Sequence, residues 1–144
     1  MAENLTADQI SALADLMIKM QNSDPDVTAE DHKANHEKEM AMYADEAAIA
    51  KVTEEYTALF NSCDLDKDGR LNVDELIEFN KKSFDMGAAA GMKMPKWSAE
   101  LDQVTKDMYE IMNTLEDGEG VTLGLCTALE ETVGMEVKKR QGLM

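Results

Sequence analysis

The segment from Asp64 to Glu75 limits what this chain can fold into more than any other part of the sequence. Aspartates occupy three alternating positions, a glycine follows them, and a glutamate ends the segment: Asp64, Asp66, Asp68, Gly69 and Glu75. Alternating carboxylates converge when the chain curls around one point, and Gly69 permits a sharp turn that a residue with a Cβ resists. A hard cation such as calcium takes six to eight oxygen ligands at about 2.3–2.6 Å. The segment therefore predicts a loop wrapped around one cation.

The predicted ligands of this loop are all oxygens. The three aspartates supply side-chain oxygens, Arg70 supplies its main-chain carbonyl, and Asn72 contributes directly or through a water. Glu75 can supply both carboxylate oxygens, and such a bidentate ligand favours calcium over the smaller magnesium ion, which takes about six ligands. The alternative is an acidic, solvated turn without a metal. The predicted calcium site comprises Asp64, Asp66, Asp68, Arg70, Asn72 and Glu75.

Apolar residues at helical spacing flank the loop on both sides. Those before it are Tyr56, Phe60 and Cys63, and those after it are Leu76 and Phe79. Residues 56–79 resemble the EF-hand calcium-binding superfamily, as a divergent, calmodulin-like member. The resemblance implies an all-α fold in which two helices hold the loop around one calcium ion. Leu71, inside the loop, is the apolar residue expected to pair in a short strand with a neighbouring loop.

A second hand is also implied by the resemblance, because EF-hands normally pair. The best candidate is the segment from about 115 to 125, in which Val121 stands at the position of the apolar strand residue. Aligning Gly120 with the turn glycine requires one deletion and puts Leu125, which has no carboxylate, at the twelfth position. We therefore expect a functional hand at 64–75 and a degenerate structural partner that binds calcium poorly or not at all.

The N-terminal region predicts a helix and contains a weaker trace of a further loop. Thr6 and Gln9 form a capping-box pattern ahead of an apolar stripe at helical spacing. Segment 20–31 lies about where a first loop would, but Pro25 stands near the place of the turn glycine, so we do not expect calcium binding there.

The domain organisation expected from these features is simple. Residues 1–50 are expected to form an N-terminal helical region with a degenerate hand, and residues 51–144 the pair of hands. The two regions also fit a single compact domain.

Helix boundaries elsewhere follow from caps and breakers. Thr28 and Asp31 form a second capping pattern, and residues 29–61 contain no glycine or proline, which leaves open whether they form one helix or two. The helix after the acidic loop is expected to end near Phe84, where a linker rich in glycine begins. The last helix is expected over about 123–133.

The charge balance limits the classes of partner. The chain has 30 acidic and 14 basic residues and a formal net charge of -16. A field of this sign repels nucleic acid and anionic lipid and favours cations or basic partners. No apolar run approaches the roughly 18 residues of a membrane span, and no signal-peptide pattern is visible, so we expect a cytoplasmic protein. The two cysteines lack metal-ligand spacing and are expected to be buried.

His32 and His36 form a second candidate metal site. They lie four residues apart, so they share one helix face, as paired zinc ligands do. Lys33 stands where a zinc peptidase would carry its catalytic glutamate, and no cysteine is near. Solvated surface histidines are the alternative interpretation, and the one that this polar stretch favours.

Three functions remain open for a chain with one calcium loop. A calcium sensor would bind the basic amphipathic helix of a target protein, and the 12 methionines suit such an adaptable surface. A calcium buffer is less favoured, because one site in 144 residues is a low capacity. The third is a structural protein or an enzyme that retains one calcium site. No nucleophile, phosphate-binding loop or acid–base pair is visible, so we expect no enzyme.

Overall fold

The computed structural model describes residues 5–115 and 120–143, and within them the protein is mainly helical. The all-α prediction is therefore confirmed. These described residues form six helices and one pair of very short strands, in the order α1 (Ala7–Gln21), α2 (Ala29–Met42), α3 (Glu46–Cys63), β1 (Arg70–Leu71), α4 (Val73–Ala89), α5 (Ala99–Leu115), β2 (Val121–Thr122) and α6 (Leu123–Arg140).

Side-chain caps fix the starts of the first three helices. Complete capping boxes begin α1 at Thr6 and α2 at Thr28, as the sequence predicts. Residues 29–61, which contain no glycine or proline, are divided between two helices, α2 and α3. Asp45 adopts an extended backbone there, and its carboxylate accepts the N–H of Ala48. An aspartate in this position satisfies the otherwise unpaired N–H groups of a new helix. The break thus needs no glycine or proline.

The predicted end of α4 near Phe84 was wrong, because α4 continues to Ala89. Gly87 lies inside the helix and is buried; a Cβ there would come within 3.0 Å of the Met94 Sδ. This glycine allows the segment after α4 to pack closely against the helix, so it does not interrupt the helix. The linker, predicted over 85–95, therefore lies between Ala89 and Ala99.

The last helix also runs further than the sequence predicted. It passes through Gly134 and ends at Arg140 instead of near Val133. Val133 and Val137 are both buried, four residues apart on one face of α6. Their burial continues the apolar stripe into the core, and this outweighs the weak helix propensity of a single glycine.

The core lies between the helices that flank the acidic loop and those that flank β2. α3 packs on α4, α4 on α5, and α1 against both α5 and α6. Phe79 stands edge-on to Tyr56 and Phe60, with ring centroids 5.1 and 5.9 Å apart. Cys63 and Cys126 are buried, as predicted. No helix in the described part of the chain is long and apolar enough to cross a membrane.

β1 and β2 form an antiparallel ladder that joins the two halves of the core. Leu71 lies opposite Val121, and Arg70 lies opposite Thr122. The side chains of Leu71 and Val121 are both 0% exposed. The sequence-based expectation that Leu71 pairs with the loop containing Val121 is thus confirmed, and the pairing fixes the position of the acidic loop relative to α5 and α6.

Candidate metal centre

Three aspartates converge at the end of α3. Asp64, Asp66 and Asp68 each bring a carboxylate oxygen within 4.8 Å of the other two, and no other group of three His, Cys, Asp or Glu ligands converges within residues 5–115 and 120–143. Asp64 is the C-cap of α3, and left-handed backbone at Lys67 (φ 57) and Gly69 (φ 82) curls the chain after it. The alternating pattern thus places its three carboxylates together.

Main-chain hydrogen bonds hold the loop in this shape. The Gly69 N–H donates to Asp64 Oδ2 at 2.8 Å, and the Arg70 N–H donates to Asp68 Oδ1 at 2.9 Å. The other oxygen of the Asp64 carboxylate, Oδ1, has no solvent exposure and no hydrogen-bond partner, and the residue is only 5% exposed. A buried carboxylate oxygen without a partner is costly. A cation between the three aspartates would supply that partner.

The electrostatics of the loop favour a cation. The neighbouring carboxyl of Asp64 raises the pKa of Asp66 above its ordinary value, and the Asp68 carboxyl acts in the same direction. The main-chain N–H of Arg70 lowers the pKa of Asp68. Crowded carboxylates disfavour one another's ionised forms, and a bound divalent cation reverses the sign of that interaction.

Glu75 closes the loop from the first turn of α4. Its Oε1 accepts the Asn72 N–H at 2.9 Å, its Oε2 accepts the Leu65 N–H at 2.8 Å, and Asn72 Oδ1 accepts the Glu75 N–H at 2.9 Å. Glu75 is 7% exposed. Its carboxylate does not belong to the aspartate cluster, because both oxygens hold main-chain N–H groups.

The remaining predicted ligands border one cleft. This cleft of about 190 Å³ is lined by Asp66, Asp68, Arg70, Leu71, Asn72, Glu75, Tyr109 and Gly120. The structure thus brings three of the six predicted ligand residues together as a cluster. It places Arg70, Asn72 and Glu75 around the adjoining cleft, and the guanidinium of Arg70 donates to the carbonyl of Gly120 at 3.4 Å.

The described part of the loop between α5 and α6 repeats two hydrogen bonds of the first loop, with uncharged side chains as the acceptors. Thr122 is the N-cap of α6 and accepts the Leu125 N–H, as Asn72 accepts the Glu75 N–H in the first loop. With Leu71 opposite Val121, Leu125 therefore takes the place of Glu75, and its side chain is buried. Residues 116–119 of the predicted 115–125 hand lie outside the described part of the chain.

Asn113, near the end of α5, bonds to the second loop, and this role was not predicted from the sequence. Its Oδ1 accepts the Gly120 N–H at 2.7 Å, as Asp64 accepts the Gly69 N–H. The loop was predicted to begin at Leu115, but α5 continues through Leu115, and the Asn113 side chain already bonds to the loop from within that helix. The only sign of this role in the sequence was an amide side chain near the end of α5. An amide has no charge, so it did not suggest a cation ligand.

Two of the four acidic side chains of segment 20–31, those of Asp24 and Asp31, have structural partners. Asp24 accepts the N–H groups of Asp26 and Lys96, and these bonds, the first of them most strongly, lower its pKa. Asp31 completes the cap of Thr28 and pairs with Lys93 at 3.4 Å. Both carboxylates are used to position the chain.

Replacing Gly120 by alanine is expected to destabilise the protein more than replacing Gly69. Both glycines have positive φ, 102° and 82°, so both substitutions carry backbone strain on the order of 1–2 kcal/mol. A Cβ at Gly120 would also lie 3.0 Å from the Leu71 carbonyl oxygen, whereas a Cβ at Gly69 meets no atom within 4 Å. Urea denaturation in a calcium chelator compares the free energies of unfolding of the two variants. Equal losses would contradict the expectation, because they would show that β1 and β2 shift to accommodate the Cβ without loss of stability.

The chain matches no protein-family model, and no curated protein or solved structure matches it significantly.

Proposed function

We propose that the protein is an EF-hand calcium-binding protein with one site, at Asp64–Glu75, that acts as a calcium sensor or modulator. The observation that carries the proposal is the Asp64 carboxylate, which is buried in the cluster of aspartates with Oδ1 lacking any partner. Oxygen ligands select a hard cation, and the glutamate at the twelfth position favours calcium over magnesium.

Glu75 connects ion binding to the helices. Its carboxylate accepts the N–H of Leu65, the second residue of the loop, and Glu75 itself lies in the first turn of α4. The next residue, Leu76, and Phe79 are buried against the core that α4 shares with α3. A change in what the Glu75 carboxylate binds therefore acts directly on the packing of α4, as a sensor requires.

The partner in this proposal is a basic amphipathic helix. The net charge of -16 attracts such a segment. Exposed apolar side chains are available where α2 meets α3, since Met40, Tyr43 and Ile49 are 57, 47 and 42% exposed. Burial raises the pKa of Tyr43, and the carboxyls of Glu130, Glu39 and Glu131 act in the same direction, so acidic groups lie near this surface. Calcium buffering and a purely structural site are the alternatives.

Calcium titration of the whole chain tests the proposal. Calorimetry should count one strong site, with a dissociation constant on the order of 10⁻⁷ to 10⁻⁵ M for a sensor. Amide NMR should place the first shifts in residues 64–75 and extend them along α4. Two or more strong sites, or none, would contradict the one-site proposal. A hydrophobic dye that does not respond while calcium binds tightly would favour the buffer.

A further inference from the structure

The two histidines of α2 have ring nitrogens that neither solvent nor protein satisfies. His32 and His36 lie one helical turn apart on the same face of α2, and each side chain is partly buried. The Nε2 of His32 and the Nδ1 of His36 have no solvent exposure, and neither has a hydrogen-bond partner. The polar sequence around them favours ordinary solvated histidines, and the shielding of these two nitrogens does not fit that interpretation.

An imidazole nitrogen is always a hydrogen-bond donor or acceptor. A neutral ring carries one N–H and one lone pair. A buried nitrogen without a partner loses its hydrogen bond to water and gains none from the protein, which destabilises the fold. Each lone pair can bind a metal ion as well as accept a hydrogen bond. Helical histidines four residues apart are a recognised arrangement of metal ligands.

The docking of α2 does not use these nitrogens. None of the fourteen residues of α2, all of which are described, is buried. The helix is held instead by polar contacts. Asn35 exchanges two hydrogen bonds of 2.9 Å with the main chain of Lys93, and Glu39 pairs with Lys138 at 2.9 Å. Since Asp31 also pairs with Lys93, two carboxylates near the histidines are already neutralised by lysines.

We propose that His32 and His36 bind one late first-row transition-metal ion, of the zinc, nickel or copper class, through Nε2 of His32 and Nδ1 of His36. Imidazole suits these ions, whereas the carboxylates of the Asp64 loop suit calcium. No third His, Cys, Asp or Glu ligand converges with the pair within residues 5–115 and 120–143, so the protein supplies two ligands. Because both nitrogens are shielded from solvent, binding requires the groups over them to move aside, and water then fills the remaining positions. The acidic surface concentrates divalent cations near the site. The ion bridges one turn of α2 and stabilises that helix.

Zinc titration of the full chain in excess calcium tests this site. Calorimetry should find one zinc ion per chain, and both His32→Gln and His36→Gln should abolish its binding, because each leaves a single imidazole. Lys33→Gln, a substitution of an exposed residue on the same helix, should leave zinc binding unchanged. Zinc should also raise the melting temperature of the wild type and not that of the histidine variants.

The imidazole NMR spectrum decides which atoms bind. Zinc should shift the Nε2 resonance of His32 and the Nδ1 resonance of His36. Far-UV circular dichroism without zinc checks that the variants keep their helix content; if either variant loses it, the wild-type imidazole spectrum alone decides. The proposal is overturned by ring signals that do not respond to zinc, by variants with wild-type zinc affinity, by a requirement for only one histidine, or by zinc that excess calcium displaces.

Discussion

Replacing Glu75 by glutamine is expected to weaken calcium binding roughly 100-fold, which corresponds to about 2.7 kcal/mol. The substitution keeps the size of the side chain and one oxygen, but it removes the charge and the second oxygen of the ligand that would bind in bidentate fashion. Calorimetric titration of the wild type and the variant measures the loss. This is the largest effect on binding that a single substitution in the loop should have.

Glu75 also has a structural role that must be separated from ion binding. Its two oxygens accept the N–H groups of Asn72 and Leu65, and a glutamine would direct an NH2 group at one of these donors. The residue is buried, so Glu75→Gln should also lower the free energy of unfolding by about 1–2 kcal/mol in a calcium chelator. A weaker affinity in this variant alone would therefore be ambiguous.

Asp66→Asn is the matched control for that ambiguity. Asp66 is exposed, and its Oδ1 accepts only a long bond of 3.4 Å from the Asp68 N–H, which asparagine preserves. Because the pKa of Asp66 is raised in the folded protein, its ionised form opposes folding at neutral pH. The variant should be more stable than the wild type in chelator yet bind calcium more weakly. Wild-type affinity in both variants would exclude the loop as the calcium site.

Features set by neighbouring residues were predictable from the sequence. The capping boxes at Thr6 and Thr28 depend on side chains three residues apart, and the convergence of the three aspartates depends on alternation around Gly69. The pairing of Leu71 with Val121 was also predictable, because each is the apolar residue of a loop between two amphipathic segments. In these cases the local pattern and the global packing require the same conformation.

Features set by distant contacts were not predictable in the same way. Gly87 suggested a linker because its role depends on Met94, which returns against α4 only in the folded chain. Asn113 has no neighbour in sequence that points to Gly120. The unpaired oxygen of Asp64 and the shielded nitrogens of His32 and His36 are properties of burial, and residue type alone does not fix burial.

Replacing Leu71 by alanine is expected to lower the free energy of unfolding by about 3 kcal/mol in a calcium chelator. Truncating a fully buried leucine to alanine typically lowers the free energy of unfolding by roughly 2–5 kcal/mol, because apolar contact is lost and a cavity remains. Leu71 is 0% exposed and lies opposite Val121, so the cavity would open between the two loops. Leu65→Ala provides the control in the same loop, since Leu65 is 79% exposed and should lose no more than about 0.5 kcal/mol.

Calcium should partly rescue the Leu71 variant if the loop binds the ion in the folded state alone. At a free concentration of about 100 times the dissociation constant, one bound ion adds about 2.7 kcal/mol, close to the expected loss. Urea denaturation with and without calcium measures both the loss and the calcium increment.

If Leu71→Ala leaves calcium affinity intact, the calcium increment in the free energy of unfolding matches that of the wild type, and the strand pair then supports the fold without affecting calcium affinity. A smaller increment in Leu71→Ala, with a full one in Leu65→Ala, would mean that the second loop tunes the affinity of the first through the contact between Leu71 and Val121. A Leu71→Ala protein as stable as Leu65→Ala would contradict the coupling altogether.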